Sequence, residues 1–429
     1  MNTDFLIVNI GGHTPKGITD SNQLQLTKVT NWGEGLIQIL SRQYSRKLNP
    51  RDLLGVWKYA DWLPTSTISE NVAGTITYKA EKLAEALGMS DLWVTFHGYW
   101  PEKGGLCPTG TFKDMEAVPT LVRIADHGCK GIICASAGNT ARSFSYYCGL
   151  SDTPLIVIVG ALHGERLWLP KNHPRESVKI VVIKDGDYWS ATKVSKKLAQ
   201  KLEGWQLEGG AHNIARRDGI GTLMLDAAFT IGALPTHYFQ GIGGGPGPIG
   251  VNEMASRLID FGIFEGPLPR QHVSQNTQHC PIHNAWQERR PILQDSDFPP
   301  HEVEVYSDFL LNKSPCYSPA GGVYDTLKQS NGQTYIVERK DAIAAKTLFE
   351  EIEGIDILSP AAVALASLQQ ALATGEIEAD DCTVLNISGG GTERMAKEME
   401  VTQIEPWLTI NEENAIEGIL AKLQAQNDL

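Results

Sequence analysis

Lys113 lies in a run of small and polar residues, Pro108 to Asp114 (Pro-Thr-Gly-Thr-Phe-Lys-Asp), which predicts a turn followed by a helix. A free lysine amine, with a pKa near about 10.4, is a poor nucleophile. Desolvation, a neighbouring charge or capture as a Schiff base makes it reactive. Lys113 is therefore the candidate catalytic residue, although a solvated lysine at a helix end would suit the same run.

A second run, Ala135 to Thr140 (Ala-Ser-Ala-Gly-Asn-Thr), follows the apolar segment 132–134 and precedes a predicted helix through Tyr147. The first N–H groups of a helix are unpaired, and the helix dipole favours negative charge. A strand-to-helix turn of this composition can therefore bind an anion. An ordinary capped helix start would have the same residues, so both interpretations stay open.

A third run, Gln240 to Pro248, contains five glycines after a predicted strand: Gly241, Gly243, Gly244, Gly245 and Gly247. Glycines let backbone N–H groups crowd around a phosphate. A dinucleotide fingerprint, Gly-x-Gly-x-x-Gly, does not fit, because Pro246 or Pro248 stands where its last glycine is required. The run predicts a cup for a single phosphate group.

A fourth run, Asn386 to Thr392 (Asn-Ile-Ser-Gly-Gly-Gly-Thr), includes Ser388 and also ends an apolar segment. Apolar segments rich in Val and Ile, separated by helical patterns, predict parallel sheets covered on both faces. The predicted strands are 131–134, 155–159, 178–183, 238–241, 335–337 and 382–387, and the predicted helices are 187–202, 340–352 and 361–372. The predicted fold class is α/β with two lobes, and ligands bind at strand ends in such folds.

The composition is that of an ordinary globular protein, with 429 residues, 42% hydrophobic and 20% charged. A formal charge of −13 argues against nucleic acid and anionic membranes as partners. Neither a signal peptide nor a membrane-spanning run is predicted. Seven cysteines without a Cys-x-x-Cys pair indicate a reducing compartment, so a cytoplasmic location is expected.

Two segments are less informative. Prolines recur between residues 266 and 319, which predicts short or interrupted elements in a surface segment of the larger lobe. Within it, His279, Cys280 and His283 could bind zinc, but no fourth ligand stands at motif spacing, so no metal is predicted. Residues 1–65 show only weak hydrophobic periodicity, and no role is assigned to this N-terminal segment.

Together, and in this order, the four runs resemble the motifs of the fold-type II pyridoxal-phosphate enzymes, which include threonine synthase and the tryptophan synthase β subunit. The resemblance implies that Lys113 carries the cofactor and acts as general base. It implies that the glycine cup binds the cofactor phosphate, and that Ser388 faces the pyridine nitrogen as a neutral partner. The loop residues Ser136, Gly138, Asn139 and Thr140 would hold the substrate carboxylate, with Asn139 also on the cofactor ring oxygen.

Several runs resemble more closely the cysteate synthases, a threonine-synthase-like group: 98–104, 208–211, 213–219, 284–288 and 353–358. The resemblance spans roughly residues 63–406. It implies β-replacement on an activated serine, namely O-phospho-L-serine and sulfite giving L-cysteate and phosphate. Arg216 would bind the leaving phosphate, with help from Arg142 or His212. For these two and for Arg217, a surface ion pair or a capped loop is an equal alternative.

Some residues depart from that group. The lysine run is closer to threonine synthase, and the group has alanine where this chain has Ser388. Gly210 and Ala211 replace an Asn-Ser pair that threonine synthases use to hold phosphate. A threonine synthase acting on O-phosphohomoserine, or a related β-elimination enzyme, is therefore the alternative. A non-enzymatic binding protein would not need Lys113.

The resemblance also implies a domain arrangement and a homodimer. The predicted large domain comprises residues 66–111 and 226–429, with the phosphate cup and the Ser388 turn. The predicted small domain comprises residues 112–225, with the substrate-carboxylate loop.

Overall fold

The computed structural model describes residues 5–9, 29–32, 36–38, 40–44, 47–136, 138–161, 167–301 and 303–426. Its strands are β1 (Phe5–Asn9), β2 (Val29–Trp32), β3 (Leu36–Gln38), β4 (Leu40–Tyr44), β5 (Ile76–Lys79), β6 (Leu92–Gly98), β7 (Gly131–Ala135), β8 (Leu155–Gly160), β9 (Trp168–Pro170), β10 (Val178–Ile183), β11 (Trp205–Leu207), β12 (His237–Gly241), β13 (Arg270–Asn276), β14 (Gln333–Val337), β15 (Thr383–Gly390), β16 (Val401–Gln403) and β17 (Leu408–Ile410). Its α-helices are α1 (Glu81–Leu87), α2 (Lys113–Asp126), α3 (Asn139–Ser151), α4 (Tyr188–Ala199), α5 (Ile214–Ile231), α6 (Pro246–Asp260), α7 (Pro281–Gln287), α8 (Val323–Gln329), α9 (Arg339–Glu353), α10 (Ser359–Ala373), α11 (Thr392–Glu398) and α12 (Ala415–Ala425).

The larger sheet has six strands in the order β14-β13-β12-β15-β6-β5. All its pairings are parallel except that of the edge strand β5 with β6. The carboxyl ends of parallel strands meet at one edge, so Gly98, Gly241 and Gly390 end their strands on the same side. The glycine cup and the Ser388 turn therefore share the ligand-binding edge of this sheet.

The second sheet has five parallel strands in the order β11-β7-β8-β10-β17. Alternate side chains point to opposite faces, as the strand repeat requires. Ile156 and Ile158 pack with α4 and α12, whereas Val157 and Val159 belong to the core that also contains α2 and α3. Burial on both faces explains the near-continuous apolar runs that predicted these strands.

The C-terminal segment departs from the predicted domain boundaries. Strand β17 pairs in parallel with β10, and the buried face of α12 packs in the core of the five-stranded sheet. The predicted large domain included all residues from 226 to 429, but residues 408–425 lie on the other sheet. No pattern in the sequence indicated that the chain returns to the five-stranded sheet near its C-terminus.

The proline-containing segment is in part wrongly predicted as a surface segment. Arg270–Asn276 is a buried strand between β12 and β14. It escaped prediction because its buried residues are largely polar: hydrogen bonds join His272 to His237 and to Tyr335, both at 2.9 Å. The remainder of the segment has short elements, as predicted, including α7 and 3₁₀ turns at 295–297 and 308–310.

Residues 47–65, which lie in the N-terminal segment without a predicted role, pack into the largest core. A 3₁₀ helix at Gly55–Trp62 buries Trp57 and Trp62, and the Tyr44 hydroxyl donates to Asp218 of α5 over 2.7 Å. Within the described ranges, no helix has the length and hydropathy needed to cross a membrane.

Candidate active site

Backbone hydrogen bonds join the lysine turn (Pro108 to Asp114) to the Ser388 turn (Asn386 to Thr392). The Phe112 N–H donates to the Ser388 carbonyl over 3.0 Å, and the Gly390 N–H donates to the Gly110 carbonyl over 3.1 Å. Gly110 has a φ of +74°, and a Cβ there would lie 2.4 Å from Thr392 Cγ2. The structure therefore brings Lys113, the first residue of α2, to the edge where Ser388 lies.

Lys113 belongs to a buried cluster of charges. Its side chain is 15% exposed, and its Nζ lies 3.3 Å from Oε2 of Glu116, which is completely buried. The same oxygen lies 2.7 Å from Nε of Arg216, and Arg216 Nη1 donates to Oε1 of Glu208. The amine also lies 4.6 Å from the centre of the Phe112 ring. Sequence reasoning missed both glutamates.

Burial of this cluster favours the neutral form of the Lys113 amine, and the two glutamates oppose it. Burial, reinforced by the Arg216 charge, lowers the pKa of Lys113 to about 8 against the opposing effect of the two glutamates. Burial likewise raises the pKa of Glu116. Burial opposes the charge of Arg216, but Glu116 and Glu208 outweigh it, and the pKa of Arg216 is raised. An amine of this kind can act as nucleophile or base near neutral pH.

The Ser136–Thr140 loop joins β7 to α3, as predicted, and Ala137 within it lies outside the described residues. The Gly138 N–H donates to Ser136 Oγ over 3.4 Å, and Gly138 is the N-cap of the helix. Arg142 Nη2 donates to Asn139 Oδ1 over 3.0 Å. Because a guanidinium only donates, Asn139 must present its oxygen to Arg142, which leaves its Nδ2 for other acceptors.

Arg142 also links this loop to the lysine turn. Its Nε donates to the Thr109 carbonyl over 3.1 Å, and its Cζ lies 4.3 Å from the centre of the Trp168 ring. Thr109 in turn hydrogen bonds to buried Asp114 and to Ser143 of α3, at 2.5 and 2.9 Å. Burial raises the pKa of Asp114 to about 6. These contacts hold two of the predicted motifs together.

The glycine cup joins β12 to α6. Gly245 is the N-cap of α6 and has a φ of +101°, a backbone conformation that favours glycine. Without a side chain there, the N–H groups of the first helical turn stay open to a ligand. A Cβ at Gly241 would lie 2.4 Å from the Pro360 oxygen, and one at Gly247 would lie 2.3 Å from Gln240 Nε2. The atom close to Gly241 belongs to the backbone and cannot move aside easily, so glycine is required sterically at that position. The turn and the helix N-terminus suit a phosphate monoester.

A residue from the proline-containing segment lies between the two loops. Phe309 Cε1 is 3.2 Å from the position of a Cβ at Gly138, and the Phe309 carbonyl oxygen is 3.2 Å from that of a Cβ at Gly243. Asn312 Nδ2 lies 3.0 Å from the corresponding position at Gly244. The predicted substrate loop and phosphate cup thus meet at Phe309, for which the sequence offered no signal.

Three further candidate residues, Arg217, His279 and His283, have hydrogen-bonding partners within the protein. Arg217 forms an ion pair with Glu253 over 3.3 Å and donates to the Ala211 carbonyl, but this ion pair is buried and not on the surface. His279 hydrogen bonds to the Asn312 carbonyl, and His283 to Thr334. In the described part of the chain, no group of three His, Cys, Asp or Glu side chains could hold a metal.

The residues fit an aldehyde cofactor with one phosphate. The cup offers backbone donors at a helix N-terminus, Lys113 offers an amine of lowered pKa, and Ser388, 6% exposed, lies at the turn that fastens the lysine. The contacts described above connect all four predicted motifs. The predicted roles of the individual residues toward a bound cofactor remain predictions.

Comparisons with known proteins agree with this arrangement. The family model described as "Pyridoxal-phosphate dependent enzyme" matches residues 68–389. Proteins named cysteate synthase from Methanocella arvoryzae and Methanosarcina mazei are 47% and 43% identical, covering 85% and 86% of this chain and 88% and 89% of their own.

Solved structures show the same fold at low identity. Maize serine racemase has a TM-score of 0.56 at 17% identity, over 76% of this chain and 92% of its own. A threonine deaminase from T.th. has a TM-score of 0.53 at 15% identity, over 73% and 93%. These are fold-type II enzymes, which confirms the predicted fold class. The chain is therefore a pyridoxal-phosphate-dependent enzyme of fold type II and belongs to the cysteate synthase family.

Proposed function

We propose that the protein catalyses β-replacement on an activated serine, converting O-phospho-L-serine and sulfite into L-cysteate and phosphate. The Cβ–O bond of the phosphoserine breaks, a Cβ–S bond to sulfite forms, and the proton removed from Cα is returned. The observation that carries this proposal is the likeness to proteins named cysteate synthase, which covers 85% of the chain.

The cofactor would be held by the residues already described. Pyridoxal phosphate, bound through its aldehyde, withdraws electrons from the amino-acid Cα and so makes its proton removable. The glycine cup would bind the phosphate, Asn139 Nδ2 the ring oxygen, and Ser388 the ring nitrogen. A neutral hydroxyl at that nitrogen does not force it to stay protonated, which favours elimination and replacement over transamination.

Lys113 would remove and return the Cα proton at its Nζ. Burial lowers the pKa of this amine to about 8, so a useful fraction is neutral near physiological pH. A general base works best when its pKa lies near the operating pH. The turn fixed by Ser388 and Gly390 holds this amine at the sheet edge where the substrate would lie.

Arg142 is well placed to bind an anionic substituent on the substrate. It is 5% exposed, and it donates hydrogen bonds to two neutral oxygens, those of Thr109 and Asn139. No carboxylate among the described residues forms an ion pair with it, and Asp114 acts on it only at longer range. A buried cation without a carboxylate partner is stabilised by an anionic ligand.

Arg216 as a phosphate-binding residue remains a prediction. Its guanidinium already contacts Glu116 and Glu208, so a phosphate dianion would have to compete with two carboxylates. This competition makes Arg142 the stronger candidate for the leaving group or for sulfite.

The test uses the purified protein loaded with pyridoxal phosphate. We expect O-phospho-L-serine with sulfite to give equal amounts of phosphate and L-cysteate, measured by phosphate release and chromatography. O-phosphohomoserine, which would give threonine, is the parallel substrate, since the lysine run is closer to threonine synthase. Threonine formation without cysteate formation would overturn the proposal and favour that alternative.

A further inference from the structure

Glu116 has an environment that the reaction outlined above does not use. It lies one turn after Lys113 on α2 and is completely buried. Its Oε2 lies close to both Lys113 Nζ and Arg216 Nε, at 3.3 and 2.7 Å. Its Oε1 is buried and has no hydrogen-bond partner among the described residues. A buried carboxylate oxygen without a partner is costly, so such a group calls for a functional explanation.

We propose that Glu116 is a positioning residue that receives Lys113 in its ammonium form after the lysine has taken the Cα proton. The proton moves from Cα to Nζ, the electron pair of the C–H bond stays with the substrate, and the new ammonium donates to Glu116 Oε2. The proton returns from Nζ to carbon when the reaction ends. The inference rests on the proposed function only in that Lys113 acts as the base.

The charges of the cluster support this role. Glu116, Glu208 and Arg216 together carry a net charge of −1 when both glutamates are ionised. With a neutral Lys113 the buried cluster is therefore negative, and with an ammonium it is neutral. Because isolated buried charge is unfavourable, the cluster stabilises Lys113 when it has gained a proton.

Two cations of the cluster stabilise the ionised form of Glu116. Burial, together with the charge of Glu208, raises the pKa of Glu116, and Arg216 of α5 and Lys113 of α2 oppose that effect. Glu208, from the loop after β11, holds Arg216 in place. Cys134 of β7 also faces the cluster, and burial raises the pKa of its thiol so that it stays neutral.

The first experiment measures the titration of Lys113 in the cofactor-free protein, by pH-dependent competitive labelling of its amine and mass spectrometry. Glu116→Gln should lower the titration midpoint by about one to two pH units, because a charge-assisted hydrogen bond to the ammonium is lost while Arg216 still repels it. Asp218→Asn is the matched control: Asp218 is a buried carboxylate of α5 that pairs with Arg257 and does not contact Lys113. It should leave the midpoint unchanged.

Further variants guard against loss of folding. Glu208→Gln, more exposed than Glu116, should shift the midpoint in the same direction but less. Arg216→Ala should shift it upward, since the Arg216 charge lowers the pKa of Lys113. A midpoint that is unchanged or raised in Glu116→Gln, or unchanged in Glu208→Gln if the first variant does not fold, overturns the inference.

The loaded enzyme gives a second readout. In Glu116→Gln the acid limb of the kcat profile should move to lower pH and kcat should fall, with KM for O-phospho-L-serine unchanged. Glu116→Asp should restore part of kcat. A fall in activity with an unchanged Lys113 midpoint would show a merely structural role and reject the inference. Failure of the wild type to use O-phospho-L-serine, with the midpoint shift intact, would reject only the proposed function.

Discussion

At the scale of single residues, the pKa of Lys113 is set by burial and by neighbouring charges that act in opposite directions. Burial and Arg216 disfavour its ammonium form, whereas Glu116 and Glu208 favour it. The outcome is an amine with a pKa of about 8, between that of an exposed lysine and that of a lysine buried without a carboxylate. The amine therefore becomes mainly neutral as the pH rises through about 8. In the cofactor-free protein, the rate at which Lys113 reacts with an amine-labelling reagent should rise as the pH passes this value.

Lys113→Ala should abolish both the absorbance band of the lysine-bound cofactor and the activity, because it removes the amine to which the cofactor would be attached. Borohydride reduction followed by peptide mass spectrometry measures the attachment directly. Lys103→Ala, which removes an exposed lysine above the Tyr78 ring, is the control and should keep the adduct. A reducible adduct that persists in Lys113→Ala would contradict the assignment.

Arg142 and Arg216 differ in their partners, so their variants should differ in substrate dependence. Arg142→Ala should lower kcat/KM for O-phospho-L-serine about ten- to a hundredfold more than for O-acetyl-L-serine, which lacks the dianion. Arg216→Ala should lower both by a similar factor, because Arg216 is held by Glu116 and Glu208. The opposite pattern would assign the phosphate to Arg216, as the resemblance to the cysteate synthases implies.

Ser388 is predicted to be a neutral partner of the cofactor nitrogen. Ser388→Asp should keep the ring protonated through its charge, slow β-replacement and increase side reactions. Ser388→Ala, also neutral, is the matched control and should retain most turnover. Absorbance spectra and turnover measure both variants, and an unchanged spectrum and rate in Ser388→Asp would place Ser388 elsewhere.

At the scale of elements, prediction from the sequence succeeded where strands were apolar or turns were rich in glycine. The predicted strand 155–159 is Leu155–Gly160, and the predicted helix 340–352 is Arg339–Glu353. Strand Arg270–Asn276 was missed because its polar side chains satisfy one another inside the sheet. The contact of Glu116 with Arg216 joins two helices distant in sequence, and no local pattern indicates such a pair.

The lysine turn offers a test of how elements position the site. Gly110→Ala should destabilise the protein by about 1–3 kcal/mol and weaken cofactor binding, because the residue has positive φ and its Cβ would meet Thr392. Gly104→Ala has nearly the same φ, +77°, but no atom within 4 Å of the new Cβ. Gly104→Ala therefore measures the cost of alanine at positive φ without the steric clash that Gly110→Ala adds. Equal loss of cofactor affinity in both variants, measured by titration, would show that the contact with Thr392 is unimportant.

At the scale of the whole molecule, the ends of the chain complete cores that the motifs need. Trp57 and Trp62 near the N-terminus pack in the core that includes α5, the helix that carries Arg216. Near the C-terminus, β17 extends the sheet that carries the substrate loop. The motifs lie between residues 108 and 392, so these end segments support the site without contributing predicted ligands.

Ile419 of α12 is completely buried against the five-stranded sheet, so Ile419→Ala should lower the free energy of unfolding by about 2–5 kcal/mol. Denaturant unfolding measures this loss, and Glu417→Ala, on the exposed side of the same helix, is the control.

The same variant tests to which sheet the C-terminal segment belongs. Hydrogen exchange should show reduced protection first in β10, the strand beside β17, while β15 of the six-stranded sheet keeps its protection, because local unfolding follows packed units. Loss of protection in β15 before β10 would contradict the placement of α12 and would restore the predicted large domain up to residue 429. An equal loss in both strands would mean that the two sheets unfold as one unit, which the shared core around α2 and α5 would then explain.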